Sequence, residues 1–561
     1  MDRIWLKSYP PGVPADINPE EYRSIVALLD DSFQKYRDRK AFVCMDKAIT
    51  YGELDQQSRN MAAWLQSRGM KKGDRCAVML PNILQFPVAI SGVLRAGLIA
   101  VNVNPLYTAR ELEHQLKDSG ATAIIILENF AHVLEKVIAK TNVKTVVVTS
   151  MGDMLGFPKG LIVNLVVRKV KKMVPAFSIP GAHPFNECLA DGKRMSFTAP
   201  EINPDDPAVL QYTGGTTGVS KGAVLAHRTI IGNLLASDAW MQPALASPKN
   251  TSEQLVVVCA LPLYHVFAFI CCGLLGMRTG SVNILIPNPR DIPATIKELA
   301  KYRINVFPAV NTLYNALANN AEFAKLDFSG LMISNGGGMA VQEAVAKKWL
   351  EVTGCPVVEG YGLSETSAGV TCNPSNSTTY SGTIGVPMPN VYVRILDDNG
   401  AEVLTGEAGE IAIKGPQVMT GYWQRPEETE RAFTPDGFFK SGDIGYMDER
   451  GFIKILDRKK DMILTSGFNV YPNEVEDVIA MHPGVLECAA VGVPDEHSGE
   501  AVKVFVVRKD PNVTAEQITD FTRDKLAGYK RPKFIEFRNE LPKTNVGKIL
   551  RRELRDSKPA A

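Results

Sequence analysis

Tyr212-Thr213-Gly214-Gly215-Thr216-Thr217-Gly218-Val219-Ser220-Lys221-Gly222 is the stretch whose reading decides the rest of the chain. Val219 is its one aliphatic residue, so it contributes almost nothing to a core. Glycine lets backbone N–H groups turn toward an anion. The hydroxyls of Thr213, Thr216, Thr217 and Ser220 add donors, and Lys221 adds a point charge. This is the composition of a phosphate-binding loop, with a plain Gly/Ser/Thr turn as the alternative. A Walker A loop requires glycine directly before the lysine, and Ser220 stands there. Nucleotide chemistry at this loop therefore belongs to another class.

Outward from the loop, short apolar runs at 76–80, 99–103 and 123–127 are separated by stretches suited to crossover helices. That alternation predicts α/β architecture, a doubly wound parallel sheet over about 1–200. It recurs at Val306, 331–334 and 357–358, which predicts a second such sheet over 201–382. Ligand crevices in this architecture lie at the carboxyl ends of strands, where the glycine-rich segments fall. From 383 to 456 the pattern changes to short strands at 391–396, 410–414 and 452–456, broken by Gly and Pro, which suits a small β-barrel. Asp457-Arg458-Lys459-Lys460-Asp461 is a charged run of the kind that forms an exposed linker. The expected organisation is a large N-terminal domain (1–456), a hinge linker (457–461) and a small C-terminal α+β domain (462–561).

The 561 residues can bury a large interior, and 62 Lys plus Arg against 61 Asp plus Glu exclude a global basic field for nucleic acid. Nine cysteines without C-x-x-C spacing favour a reducing cytoplasm and no structural zinc. The N-terminus meets charge and then proline before any apolar run, so no secretory signal peptide is expected. Residues 255–277 form an uncharged stretch of 23, apart from His265, long enough in principle to span a bilayer. Pro262 interrupts it and Tyr264-His265 puts polar groups at its middle, so a buried strand, a turn and a core helix are expected instead. Residues 161–177 mix large apolar side chains with Arg168, Lys169, Lys171 and Lys172 and no acid. Such a segment fits peripheral contact with an anionic membrane, on the inner face of the cell membrane, as well as it fits a solvated helix at a domain edge.

Further polar clusters fall where crevices form. Asn335-Gly336-Gly337-Gly338 follows an apolar strand and lets a flat ring approach backbone, although a strand-to-helix turn uses the same glycines. Tyr361-Gly362-Leu363-Ser364-Glu365-Thr366 supplies an aromatic face, two hydroxyls and a carboxylate. Asp443, behind the turn Ser441-Gly442, suits the two hydroxyls of a ribose.

In order and spacing these segments, with Pro262-Leu263-Tyr264-His265 and Pro542-Lys543-Thr544-Asn545-Val546-Gly547-Lys548, resemble the acyl-adenylate-forming superfamily that includes acyl-CoA synthetases and firefly luciferase. The resemblance spans nearly the whole chain. The stretch from Asp436 to Asp443 and on through Lys460 is similar to the fatty-acyl-CoA synthetase signature, and the bacterial long-chain branch is the nearest in kind. It implies joining of a fatty acid to the α-phosphate of ATP, release of pyrophosphate, and displacement of AMP by the thiol of CoA, feeding fatty-acid degradation. On that resemblance Thr213, Gly214, Gly215, Thr216, Thr217 and Lys221 hold phosphates, and Glu365, with Thr217, holds Mg²⁺. Gly336, Gly337, Gly338, Tyr361 and Gly362 bracket adenine. Ser364, where the family often has Thr, reaches the α-phosphate, and Asp443 and Arg458 hold the ribose.

Lys548 would be the catalytic lysine of adenylation, carried in by a mobile C-terminal domain. Lys460 would be the hinge, and Gly467 would line the CoA path after rotation. His265 would lie where carboxylate and thiol meet; a satisfied core histidine is the other reading. Expected partners are fatty acid, ATP and CoA, with an anionic membrane and a second copy of the chain as further candidates. Ligases for medium-chain or aryl acids, a fatty acyl-AMP ligase, a luciferase-like oxygenase and a membrane acyl-transport protein are the competing readings. Each buried CH₂ contributes about 0.8 kcal/mol, so acyl length depends on a pocket depth that sequence does not give.

Overall fold

The computed structural model describes residues 2–213, 220–495, 497–544 and 547–555. Ala123–Leu127 reads Ala-Ile-Ile-Ile-Leu, and all of it is buried. A strand apolar on both faces needs cover on both faces. It lies inside a seven-stranded sheet ordered His183–Pro184, Thr145–Thr149, Ala123–Leu127, Arg75–Met79, Ile99–Asn102, Pro207–Tyr212, Gly222–Ala226. Neighbours run parallel until the last pair, an antiparallel hairpin that carries the phosphate-loop segment at its turn. The two-residue period sorts side chains cleanly: Cys76 and Val78 enter one core, Ala77 and Met79 the other. The winding reverses at Arg75–Met79, which puts a ligand crevice at the carboxyl ends of this strand and its neighbours.

A second layer joins Lys40–Cys44, Val282–Leu285 and Val256–Cys259, all in parallel. Single bridges through Val306 and Ile333 carry it on to Ser334–Gly336 and Val357–Leu363. The strands do not sort at residue 200. Lys40–Thr50 belongs to the second layer, and Pro207–Ala226 completes the first. Strand pairing is indifferent to chain order once crossover helices are long enough, so a boundary read from rhythm alone misses the exchange.

Residues 255–277 form the expected strand, Val256–Cys259, a turn at 262–265, and a helical run from Val266 to Arg278 with a π-helical middle. Among the described residues no helix is long and apolar enough to cross a membrane.

The expected barrel is an antiparallel meander of Tyr392–Leu396, Gly409–Lys414, Phe439–Met447 and Ile453–Arg458. Among the described residues its last strand does not return to its first. Ile453 instead exchanges backbone hydrogen bonds with Ile384 and Gly385. Beyond it a sheet of five strands with helices Pro472–Ala480 and Ala515–Thr522 holds its own apolar cluster, from Ile463 to Leu526, separate from the main core that ends at Ile453.

Helix Asn311–Ala318 borders both parts. Trp349 fixes it from behind. Its ring packs against Phe307, Tyr314 and Phe323 at centroid distances of 5.4, 4.5 and 5.4 Å, and its Nε1 donates to Ser334 Oγ at 2.9 Å. Trp349→Ala should cost about 4 kcal/mol. A urea unfolding midpoint unchanged from wild type would show that this cluster does not anchor the helix.

Candidate active site

A cleft of about 2960 Å³ opens at the carboxyl ends of the strands and is closed over by the C-terminal segment. Thr213, Lys221, His265, Glu365, Asp443 and Lys548 all line it, although they come from five separate segments. Gly337, Gly338, Tyr361 and Gly362 line it too, as do Ser364, Arg458 and Lys460. Gly214, Gly215, Thr216 and Thr217 lie outside the described residues.

The flanks of the phosphate loop are held from several sides. Thr213 N–H donates to the Lys221 carbonyl at 2.9 Å, Ser220 Oγ donates to the Thr213 carbonyl at 2.6 Å, and His114 Nε2 lies 2.8 Å from the Ser220 carbonyl. Tyr212 donates to Asp118 at 2.8 Å, and Arg425 pairs with the other carboxylate oxygen at 2.6 Å. The Lys221 ammonium pairs with Glu428 and lies 4.6 Å from the centre of the Tyr422 ring. Tyr422 in turn donates its hydroxyl to Glu365 at 2.9 Å. Burial pushes the Glu365 carboxyl up, with the Tyr422 bond opposing. Asp118, Tyr422 and Arg425 escaped the sequence reading; the aromatic pair Tyr422-Trp423 after Gly421 was the available signal.

At the other end Tyr361 donates to Asp443 Oδ2 at 2.6 Å, and Arg458 Nε lies 3.2 Å from Asp443 Oδ1. The register Asp443↔Arg458 between adjacent strands enforces this pairing. The glycines of 335–338 divide. Gly337 lines the cleft under tight constraint, since a Cβ there would meet Phe267 at 3.1 Å and the Gly360 carbonyl at 3.2 Å. Gly336 lies behind the wall: a Cβ would strike Val341 and Val357 at 2.7 and 2.8 Å, so its bareness serves packing rather than a ligand ring.

Asp457 departs from the exposed-linker expectation. It ends a strand at 1% exposure, accepts from Asn473 N–H at 2.9 Å, and faces Arg551 at 3.4 Å. Burial pushes it up to about 6, with Arg551 pulling the other way. Charged residues thus start the linker inside the fold, and only Lys459 and Lys460 are exposed. Gly467 is not part of the cleft. It sits at φ 83° in the exposed turn between Ile463–Thr465 and Phe468–Val470.

Lys548 stands on a tight turn in which Thr544 N–H donates to its carbonyl at 2.7 Å and its own N–H donates to Thr544 Oγ1 at 3.0 Å. Burial first, then Arg458 and Lys460, push its ammonium down to about 8, with Asp443 opposing. His265 caps the helical run that begins at Val266, its Nδ1 accepting from Phe267 N–H at 3.3 Å. Burial, reinforced by the Lys548 charge, pushes it down to about 4, so it is neutral at physiological pH. The cleft lining also includes the apolar residues Trp240, Met241, Cys271, Leu275 and Met388. Trp240 is fixed by its Nε1 bond to the Asn373 carbonyl at 2.9 Å.

A large mixed α/β body carries a small α+β domain over its cleft. The chain belongs to the AMP-binding enzyme family: that family matches residues 29–423, and the AMP-binding enzyme C-terminal domain matches 474–548. It is 55% identical to the long-chain-fatty-acid–CoA ligase of Escherichia coli O6:H1, over 99% of this chain and 98% of that one. Its identity to the protein of the same name from Bacillus subtilis is 39%, over 98% and 97%. Among solved structures, ATP-bound MatB from Rhodopseudomonas palustris matches with a TM-score of 0.79 at 28% identity, over 95% of this chain and 98% of that one.

The lowered value of His265 carries a sign. The unfolded chain takes up a proton near the ordinary value of 6.5 that the folded site refuses until about 4, so stability from this site is lost as pH falls through that window. With seven histidines in the chain, labelled-histidine NMR should find the His265 resonance flat from pH 8 to 5. A midpoint near 6.5 would contradict the site's burial.

Proposed function

We propose that the protein is a long-chain fatty-acid–CoA ligase that works in two steps from one cleft. In the first, a fatty-acid carboxylate oxygen attacks the α-phosphorus of ATP, the bond to the bridging oxygen breaks, and pyrophosphate leaves with that electron pair. In the second, the CoA sulfur attacks the acyl carbonyl, AMP leaves with the anhydride oxygen, and the thiol proton is released. The carrying observation is that Lys548, from the C-terminal domain, lines the same cleft as Asp443 and Glu365 of the body. The named relatives supply the substrate class, and the apolar lining residues suit an acyl chain.

An anion attacking a polyanion is slow unless charge is neutralised and the groups are aligned. Asp443, preset by Tyr361 and Arg458, accepts the ribose hydroxyls. Thr213, Ser364 and Lys221 serve the phosphates, and Lys221 exchanges Glu428 for them. The Lys548 ammonium donates to the oxygens of the reacting carboxylate and α-phosphate. Glu365 fits a Mg²⁺ ligand: it is a half-buried carboxyl that accepts from the Tyr422 hydroxyl and has no paired cation among the described residues, and Mg²⁺ is commonly bound by one or two carboxylates together with substrate phosphates. Bound there, the ion would neutralise phosphate charge. Neutral His265 orients the carboxylate without adding a charge. After pyrophosphate leaves, rotation about Lys460 within a hinge at 457–461 withdraws Lys548 and turns Gly467 toward the CoA path.

Lys548→Ala should slow acyl-AMP formation roughly 100- to 1000-fold while thioester formation from supplied acyl-AMP continues. Lys460→Pro, which fixes φ near −65°, should do the opposite. Pre-steady-state measurement of the two half-reactions checks both, and equal loss of both steps in either variant refutes the assignment.

We also propose peripheral contact with an anionic membrane through 157–173. Phe157, Leu161, Ile162, Leu165, Val170 and Met173 are all exposed there, beside exposed Lys169, Lys171 and Lys172. Arg168 is excluded from this role, because it pairs with Glu128 at 2.8 Å and donates to Ser150 at 2.7 Å. Exchanging the three lysines for Glu should weaken binding to anionic vesicles on the order of 100-fold. Unchanged sedimentation with such vesicles would eliminate this surface.

A further inference from the structure

One face of helix Asn311–Ala318, with its capping residue Asn319, meets the C-terminal domain through a series of polar groups. Thr312 Oγ1 donates to the Gly547 carbonyl at 3.2 Å, one residue before Lys548. Asn315 Nδ2 donates to the Leu486 carbonyl at 2.9 Å. Asn319 Nδ2 donates to Asn315 Oδ1 at 2.8 Å, and Lys509 closes the series on Asn319 Oδ1 at 3.0 Å. Positions 312, 315 and 319 fall on one stripe of a helix. Opposite Thr312, Gly547 has φ 82°, and a Cβ on it would sit 2.6 Å from Thr312 Oγ1. The lysine-bearing turn can approach this closely only without a side chain.

The opposite side of the same helix is apolar and buried, with Leu313, Tyr314 and Leu317. The outward stripe is therefore polar where a permanent contact would favour apolar residues. A surface that must be covered in one state and wetted in the next loses little when its amides and hydroxyls return to water, whereas exposed apolar side chains would resist release.

We infer that Thr312 and Asn315 are positioning residues for adenylation: they seat the C-terminal domain so that Lys548 enters the cleft, and they take no part in thioester formation. This rests on the two-step reading above. Both residues also line the cleft, so the half-reactions and KM together are needed to tell a lowered docked population from a lost substrate contact.

The double variant Thr312→Val/Asn315→Leu should reduce the rate constant of acyl-AMP formation about 30-fold. KM for ATP and fatty acid should hold, and so should the rate of thioester formation from supplied acyl-AMP. Thr312→Ser, which retains the hydroxyl, should restore the single Thr312→Val loss, and thermal unfolding should report an intact N-terminal domain. Parallel losses in both half-reactions, a raised KM for either substrate, or no loss at all would overturn the inference. Lys548→Ala run alongside separates the causes: if it too fails to split the half-reactions, the two-step reading itself is at fault. If it splits them and the double variant does not, only the seating role falls.

Discussion

The Gly547 carbonyl, which accepts from Thr312 Oγ1 at 3.2 Å, and the Thr544 carbonyl, which accepts from Arg290 at 3.0 Å, hold the lysine-bearing turn against the body. A glycine at positive φ lets backbone meet side chain there, and the next residue is Lys548. The body supplies the crevice, the loop flanks and Asp443 from the ends of its strands. In the proposed cycle the C-terminal domain adds Lys548 across a seam that must be weak enough to reopen.

Electrostatics sharpen that requirement. Lys548, Arg458 and Lys460 share one neighbourhood with Asp443, and burial beside like charges lowers the Lys548 ammonium to about 8. In the proposed function a polyanionic nucleotide reverses the balance and holds the lysine protonated and in place. In the proposed cycle, once pyrophosphate departs the excess of positive charge returns and favours leaving. Asp457, buried at the root of the linker and pushed up to about 6, adds a second contact that is costly to hold closed. Neither contact would suit a permanent interface, and both suit one that alternates.

Much of this was legible in the sequence because the chemistry is local. Tyr361, Glu365 and Asp443 stand in short motifs whose residue types announce charge and hydroxyl geometry, Lys548 was singled out only by the resemblance, and all four line one cleft. Strands at 76–80, 99–103 and 123–127 were legible because unbroken apolar runs have few alternatives. The exchange of Lys40–Thr50 into the second layer was not, since pairing across more than 200 residues leaves no local trace. Gly336 was read as ligand-facing when its bareness accommodates Val341 and Val357, a distinction made only by packing. Thr312 and Asn315 were invisible for the same reason: each acts on a partner distant in sequence, and each is of a residue type common in ordinary loops and helices.

The central claim is that one rigid half of the site is completed by a second that arrives and departs. Eight of the nine cysteines are buried, so spin labels introduced at exposed Ala316 and Asp510 would report almost alone. Pulsed electron–electron resonance should then give one short distance with a non-reacting ATP analogue and fatty acid bound. After acyl-AMP forms and a non-reacting CoA analogue is added, a second, longer distance should replace it. A single unchanged distance through both states would contradict the account.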